Sequence, residues 1–212
     1  MKKGIFEKKA IIFDMNGVLV LGIELKHGTK IHKSFIKSMA NSLKINEDTW
    51  MDAVDTIYSK SIEGTVSEKK VVNTIAKNLK ISQKKLEKIV IGNYKKLYKE
   101  NKKLYKYAFN LRKRGHKIAI LSDQWVLSKK ALVNKKYNGK FDVVVYSCDV
   151  GIRKPDPKIY KLCLKKLKVH PENSIFVDNR DWNLVPAKKL GMETILFKSN
   201  KQAIKEIEGL LK

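Results

Sequence analysis

The sequence predicts a doubly wound α/β fold: a parallel sheet covered by helices on both faces, interrupted by an all-helical insert. Three observations point there. Short continuous apolar runs lie at 8–20, 117–122, 141–147, 174–178 and 194–197. Segments of helical period alternate with the last four of these runs. Between the first run and the second lies a long stretch with helical periodicity and no strand candidate.

The elements follow in chain order. The first run, "IIFDMNGVLV", reads as a buried strand that ends at Asp14. Candidate helices then span 26–43, 48–60, 67–79 and 82–98, with Asn46, Ser67 and Ser82 placed to accept from the first free N–H groups. After Ser67, apolar residues at 71, 72, 75, 76 and 79 share one face. "KIAILS" at 117–122 is the second core strand, bounded by Gly115 and Asp123. "FDVVVYS", "SIFVD" and "TILF" continue the series, with helices expected at 125–134, 158–168, 183–190 and 201–211. Asp156-Pro157 is a helix start, with Asp as the cap and Pro in the first turn. Gly191 is placed to end the third of these helices in a left-handed conformation.

Composition excludes several classes. The 212 residues are 43% hydrophobic and 32% charged, the balance of a folded chain and not a disordered one. No apolar run reaches the eighteen or so residues of a membrane span, so no membrane role is expected. Lysines precede an apolar stretch at the N-terminus, as in a signal peptide, but Asp14 interrupts it and no small-residue cleavage site follows. Cys148 and Cys163 are too few for a disulfide framework, and a reduced, cytoplasmic setting is expected. The net charge of +25 raises the question of nucleic acid. The arginines that grip phosphates and bases are only Arg112, Arg114, Arg153 and Arg180, and the lysines spread over every helical segment. A solvated lysine-rich surface that attracts anions is the favoured reading. His27, His32, His116 and His170 show no metal-ligand spacing.

In a doubly wound sheet, ligands bind beyond the carboxyl ends of the strands. The first core strand ends in Asp14, the second in Ser122-Asp123 and the fourth in Asp178-Asn179; the third is followed by "CDVGIRKPDP", which carries Lys154. Singly, these are a strand-end cap, a turn residue, a helix cap and a surface lysine. Jointly, at one sheet edge, they read as a site.

The stretches "FDMNGVL", "ILSDQ", "GIRKPDPKIY" and "IFVDNRDWNLVPAKKLGM" resemble, in order and spacing, the four motifs of the haloacid dehalogenase superfamily. The resemblance covers about 1–20 and 110–212. It implies a Rossmann-like core of 1–20 and 109–212 with a helical cap at 21–108. It further implies a phosphatase-type hydrolase that forms an aspartyl-phosphate on Asp14 and acts on a small phosphorylated metabolite. Mg²⁺ is the implied cofactor, with Asp14, Asp178 and the main-chain carbonyl of Asn16 as ligands. Ser122, the N–H of Asp123 and Lys154 are implied to hold the phosphoryl oxygens.

Asn16 departs from the family pattern. The phosphatases place a second Asp there, which protonates the leaving oxygen and then deprotonates the attacking water. An amide cannot shuttle a proton at neutral pH, and general acid–base help is worth roughly 10²–10⁴ in rate. Turnover is therefore expected to be slow or arrested. Asn16 fits an introduced change in a phosphatase, a natural slow enzyme or non-catalytic phosphate-ligand binder, or a 2-haloacid dehalogenase. Dehalogenases of the superfamily lack the second acid, but they also lack a carboxylate matching Asp178. A basic nucleic-acid-binding protein is the remaining alternative. Asp181 is a candidate to supplement the metal charge that Asn179 lacks, and Trp125 and Trp182 follow strand ends with packing as their expected role.

Overall fold

β1 (Ala10–Phe13) is apolar at every position, and all four side chains are fully buried. A strand achieves that only where both faces of its sheet are covered. Ile11 and Phe13 join one hydrophobic cluster, while Ala10 and Ile12 join a second on the opposite face. The computed structural model describes residues 9–22 and 31–212. Residues 23–30, where the first insert helix was expected to begin, and His27 lie outside the described residues.

After β1 the chain crosses through β2 (Val20–Gly22) into four helices: α1 (Ile31–Leu43), α2 (Glu47–Ile62), α3 (Glu68–Asn78) and α4 (Gln83–Leu97). The expected caps form, with Asn46, Ser67 and Ser82 accepting from the N–H groups of Thr49, Lys70 and Lys85 at 2.7, 3.3 and 3.2 Å. The chain returns through β3 (Tyr98–Glu100), which pairs antiparallel with β2 as a two-stranded ribbon. This corrects the strand-free reading of the insert. Three-residue strands carry no periodicity of their own, and β3 follows α4 without a break. Asn101 locks the ribbon to the sheet, its N–H donating to the Leu19 carbonyl and its amide to the Val18 carbonyl, both at 2.8 Å.

α5 (Lys102–Lys113) then packs against β4 (Lys117–Ser122), so position 108–109, where the cap was expected to give way to the core, falls inside this helix. The remaining elements are α6 (Val126–Leu132), α7 (Lys135–Asn138), β5 (Val143–Tyr146), α8 (Ser147–Val150), α9 (Pro157–Leu167), β6 (Ser174–Asp178), α10 (Asp181–Lys189), β7 (Glu193–Leu196) and α11 (Asn200–Leu210). Five strands form one parallel sheet in the order β5-β4-β1-β6-β7. Asp156 caps α9 by accepting from Lys158 N–H at 2.8 Å, and Gly191 ends α10 at φ +92°. No helix among the described residues is long and apolar enough to cross a membrane.

Candidate active site at the sheet edge

The site begins with register. Phe13 pairs with Ile120 of β4 and with Val177 of β6, so the next residue, Asp14, stands level with Asp178 on the neighbouring strand. Adjacent parallel strands lie about 4.8 Å apart, which brings two buried carboxylates side by side. Asp14 is 5% exposed and Asp178 is 0% exposed. Two such anions repel, and each has lost its hydration.

Lys154 answers both. Its Nζ donates to Asp14 Oδ1 at 2.8 Å and to Asp178 Oδ2 at 2.6 Å. The side chain is itself buried, and its backbone N–H donates to Asp123 Oδ1 at 3.0 Å, tying its loop to the end of β4. Burial alone would lower the lysine pKa, but the carboxylates of Asp14, Asp178 and Asp123 outweigh it and raise the value, so the ammonium stays charged. For Asp14 the balance goes the other way: burial pushes its pKa up to about 6, with Lys154 opposing and Asp178 adding to the rise. Asp178 is further held by Arg180 N–H on Oδ1 at 2.8 Å and by the Asn183 amide on Oδ2 at 3.0 Å.

Ser122 is fully buried at the end of β4, its Oγ accepting from the Gln124 amide at 3.1 Å. Asp123 is half-buried, and loss of hydration raises its pKa. Gln124 organises this turn: its N–H donates to Ser147 Oγ at 3.0 Å, and Ser128 donates to its side-chain carbonyl at 2.7 Å. Gln124 and Asn183 were not singled out from sequence. Both lie inside the quoted motifs, and their signal was a buried amide beside a strand-end polar residue.

Asn16 sits in the turn after β1, where Gly17 N–H donates to the Val20 carbonyl at 2.7 Å. Gly17 has φ +91°, and a Cβ there would come within 2.3 Å of the Asn179 amide. Asn179 therefore packs on the turn. Asp181 is exposed and accepts from the N–H of Trp182, which is 57% exposed, contrary to the packing role expected of that tryptophan. Trp125 does pack, buried with its Nε1 donating to Tyr94 Oη at 2.7 Å.

Asn16 Oδ1 is buried without a hydrogen-bond partner. With Asn16 two residues after Asp14, this orphaned amide oxygen and the two buried carboxylates offer hard oxygen donors of the kind that suits Mg²⁺, whereas the ligand expected at Asn16 was its main-chain carbonyl. That ion uses one or two carboxylates and leaves other positions to water and phosphate. No group of three His, Cys, Asp or Glu able to hold a metal occurs among the described residues, so nothing resembles a closed all-protein cage.

Between this edge and the helices of the insert lies a cavity of about 220 Å³, with Asn16, Gly17, Asp123, Asn179 and Arg180 on the sheet side; Asp14, Ser122, Lys154 and Asp178 are not among its lining residues. A larger groove of about 750 Å³ runs between Gly64–Ser67 and Lys129–Lys130 but touches none of the predicted site residues.

The haloacid dehalogenase-like hydrolase profile matches residues 8–191. The chain belongs to this family. Over 170 residues it is 29% identical to bifunctional epoxide hydrolase 2 of Mus musculus, a match covering 78% of this chain and 28% of that protein. Over 109 residues it is 33% identical to glyceraldehyde 3-phosphate phosphatase of Pyrococcus furiosus, covering 49% of this chain and 44% of the relative. The matches thus span less than half the length of either relative. Among solved structures, a HAD-like family hydrolase from Porphyromonas gingivalis superposes with a TM-score of 0.75 at 18% identity, covering 97% of this chain and 98% of the other. A HAD family enzyme from Bacteroides thetaiotaomicron, solved with magnesium and inorganic phosphate, gives 0.71 at 17% identity, covering 91% and 96%. These two share the fold.

Proposed function

We propose that this haloacid dehalogenase-like hydrolase is a Mg²⁺-dependent phosphatase of small phosphorylated compounds, slowed by Asn16. The carrying observation is Lys154 clamped between Asp14 and Asp178 at a parallel sheet edge, with Ser122 one strand away. A phosphatase among the relatives and a phosphate-bound structural neighbour support the same class.

Asp14 supplies the nucleophilic carboxylate oxygen, aimed in line at phosphorus. Lys154 orients that carboxylate and neutralises the incoming phosphoryl group. Ser122 Oγ–H and the N–H of Asp123 donate to phosphoryl oxygens that gain charge as the leaving bond breaks. Asp14, Asp178 and Asn16 would hold Mg²⁺, which when bound shields the two anions from one another. Asn16 can hydrogen-bond the leaving oxygen but cannot protonate it. Departure of the alcohol, and then attack of water on the phospho-enzyme, go without a general acid–base.

The test is incubation with Mg²⁺ and a phosphate monoester, reading phosphate release and intact mass. Slow release that Asp14→Ala abolishes and Asn16→Asp accelerates by roughly 10²–10⁴ supports the proposal. A stable mass gain of one phosphoryl group indicates arrest at the phospho-enzyme. No release, no adduct and no rescue by Asn16→Asp sink it. The absent acid also favours a second reading, a phosphate-ligand binder without turnover, for which phosphate would bind to an inert protein.

A further inference from the structure

The cap side of the 220 Å³ cavity is lined by Phe35, Trp50, Tyr58, Tyr94 and Tyr98, and Trp125 closes it from the core. Five of these six rings are linked by ring contacts and one hydrogen bond. Phe35 and Tyr94 have centroids 4.3 Å apart, Tyr94 and Tyr98 5.6 Å apart, and Tyr58 meets Trp125 edge-on at 5.3 Å. Two of the wall's polar atoms are already spent on each other, since Trp125 Nε1 donates to Tyr94 Oη. Ser128, also on the lining, is occupied by Gln124 and by the Trp125 carbonyl. The charged groups on the lining, Asp123 and Arg180, lie on the sheet side. The cavity is thus polar on the sheet side, where Asp123 follows Ser122 and Asn16 lies two residues after Asp14, and aromatic on the side where the rest of a substrate would extend.

We infer that the cap pocket takes a flat, apolar leaving group, making the substrate class an aryl or similarly apolar phosphate monoester, not a polyhydroxylated sugar phosphate. This assignment rests on the phosphatase reading for its chemistry, but the pocket's preference stands on its lining. Most hydroxyls of a sugar would leave water for ring faces and aliphatic side chains, with the Tyr58 and Tyr98 hydroxyls as the few polar partners on that wall. An aromatic ring would instead stack against the wall. Size agrees: an apolar cavity of roughly 150 Å³ holds benzene, so this one holds a ring with a short substituent.

Binding separates the two ideas. Phenylphosphonate and methylphosphonate carry the same non-hydrolysable phosphoryl head and differ only in the ring. With Mg²⁺ and the full chain, calorimetry is expected to show the phenyl compound binding tenfold or more tighter, about the discrimination an apolar pocket achieves. Tyr58→Ala, at a residue 39% exposed, should shrink that ratio without opening the core, and Trp50→Leu should shrink it further. Equal binding of the two phosphonates, or an unchanged ratio in both variants, overturns the inference. In turnover, benzyl phosphate, whose leaving alcohol is about as basic as that of glucose 6-phosphate, should exceed it by a similar factor in kcat/KM; the reverse order overturns the inference and leaves the phosphatase reading intact. A phenyl preference with no turnover, no phosphoryl adduct and no rescue by Asn16→Asp supports the pocket assignment while removing the phosphatase reading.

Discussion

The two walls of the cavity solve opposite problems. At the sheet edge behind the first, Lys154 donates to Asp14 and Asp178 at 2.8 and 2.6 Å, and its charge opposes the rise that burial imposes on the Asp14 pKa. On the cap side, aromatic rings pack with little charge among them, and Trp125 Nε1 is paired with Tyr94 Oη. On the sheet side, strand register places Asp14 level with Asp178, and a loop tied to Asp123 brings Lys154 to both. The cap wall is built by helix packing, in which side-chain shape decides. Chemistry is expected to be intolerant of change in the first wall, and specificity to be adjustable in the second.

The sharpest way to break that contrast is Lys154→Met. It leaves two buried anions unpaired, and loss of one partner from a buried ion pair costs about 3–5 kcal/mol. Chemical denaturation should show a loss of that size in metal-free protein, with partial recovery on adding Mg²⁺. A loss below about 1 kcal/mol would mean the sheet wall is not electrostatically strained as described.

Next in size is Gly17→Ala. The left-handed backbone costs about 1–2 kcal/mol for a residue with a Cβ, and the new methyl meets the Asn179 amide. A thermal melt should fall accordingly. Asn179→Ala combined with it should recover only the part due to the clash.

The third concerns pH. Unfolded Asp14 ionises near 3.8, whereas burial holds the folded group protonated up to about 6. Between those values the folded state binds more protons, so Asp14 makes metal-free stability fall as pH rises; above about 6 the penalty is complete. Comparing wild type with Asp14→Asn across this window isolates the effect, since the variant lacks that titration. Mg²⁺ needs the ionised carboxylate, so its affinity should drop about tenfold per pH unit below 6, read by calorimetry.

The smallest effect belongs to the cap. Ser67→Ala removes the acceptor for Lys70 N–H at the start of α3, an exposed bond 3.3 Å long. About 1 kcal/mol of stability should be lost, with kcat/KM on small phosphate esters unchanged. A large loss of activity would show that the cap is coupled to the chemistry and not merely roofing it.

Much of the sheet wall was legible in the sequence. β4 and β6 appear at the residues expected, because a strand buried on both faces is an uninterrupted apolar run. Their terminal polar residues stood out against that background. Gln124 and Asn183 did not, because a buried amide is recognised only by the partners that satisfy it. Exposed Trp182 ran against expectation for a related reason: a lone aromatic in sequence carries no sign of which face of α10 meets the core. The ribbon of β2 and β3 was hidden because its partners lie some eighty residues apart and neither strand is long enough to show a period.

By itself, the sequence determined the alternation of strand and helix, the caps of the insert helices and the set of polar residues delivered to one edge. These follow from local rules: apolar runs, capping side chains, and glycine where the backbone turns left-handed. Only the tertiary structure decided that Lys154 reaches both carboxylates, that Asn16 Oδ1 has no partner, and that aromatic rings from α1, α2 and α4 converge above them. Those are relations among residues far apart in the chain. They depend on register and packing, which no local pattern encodes.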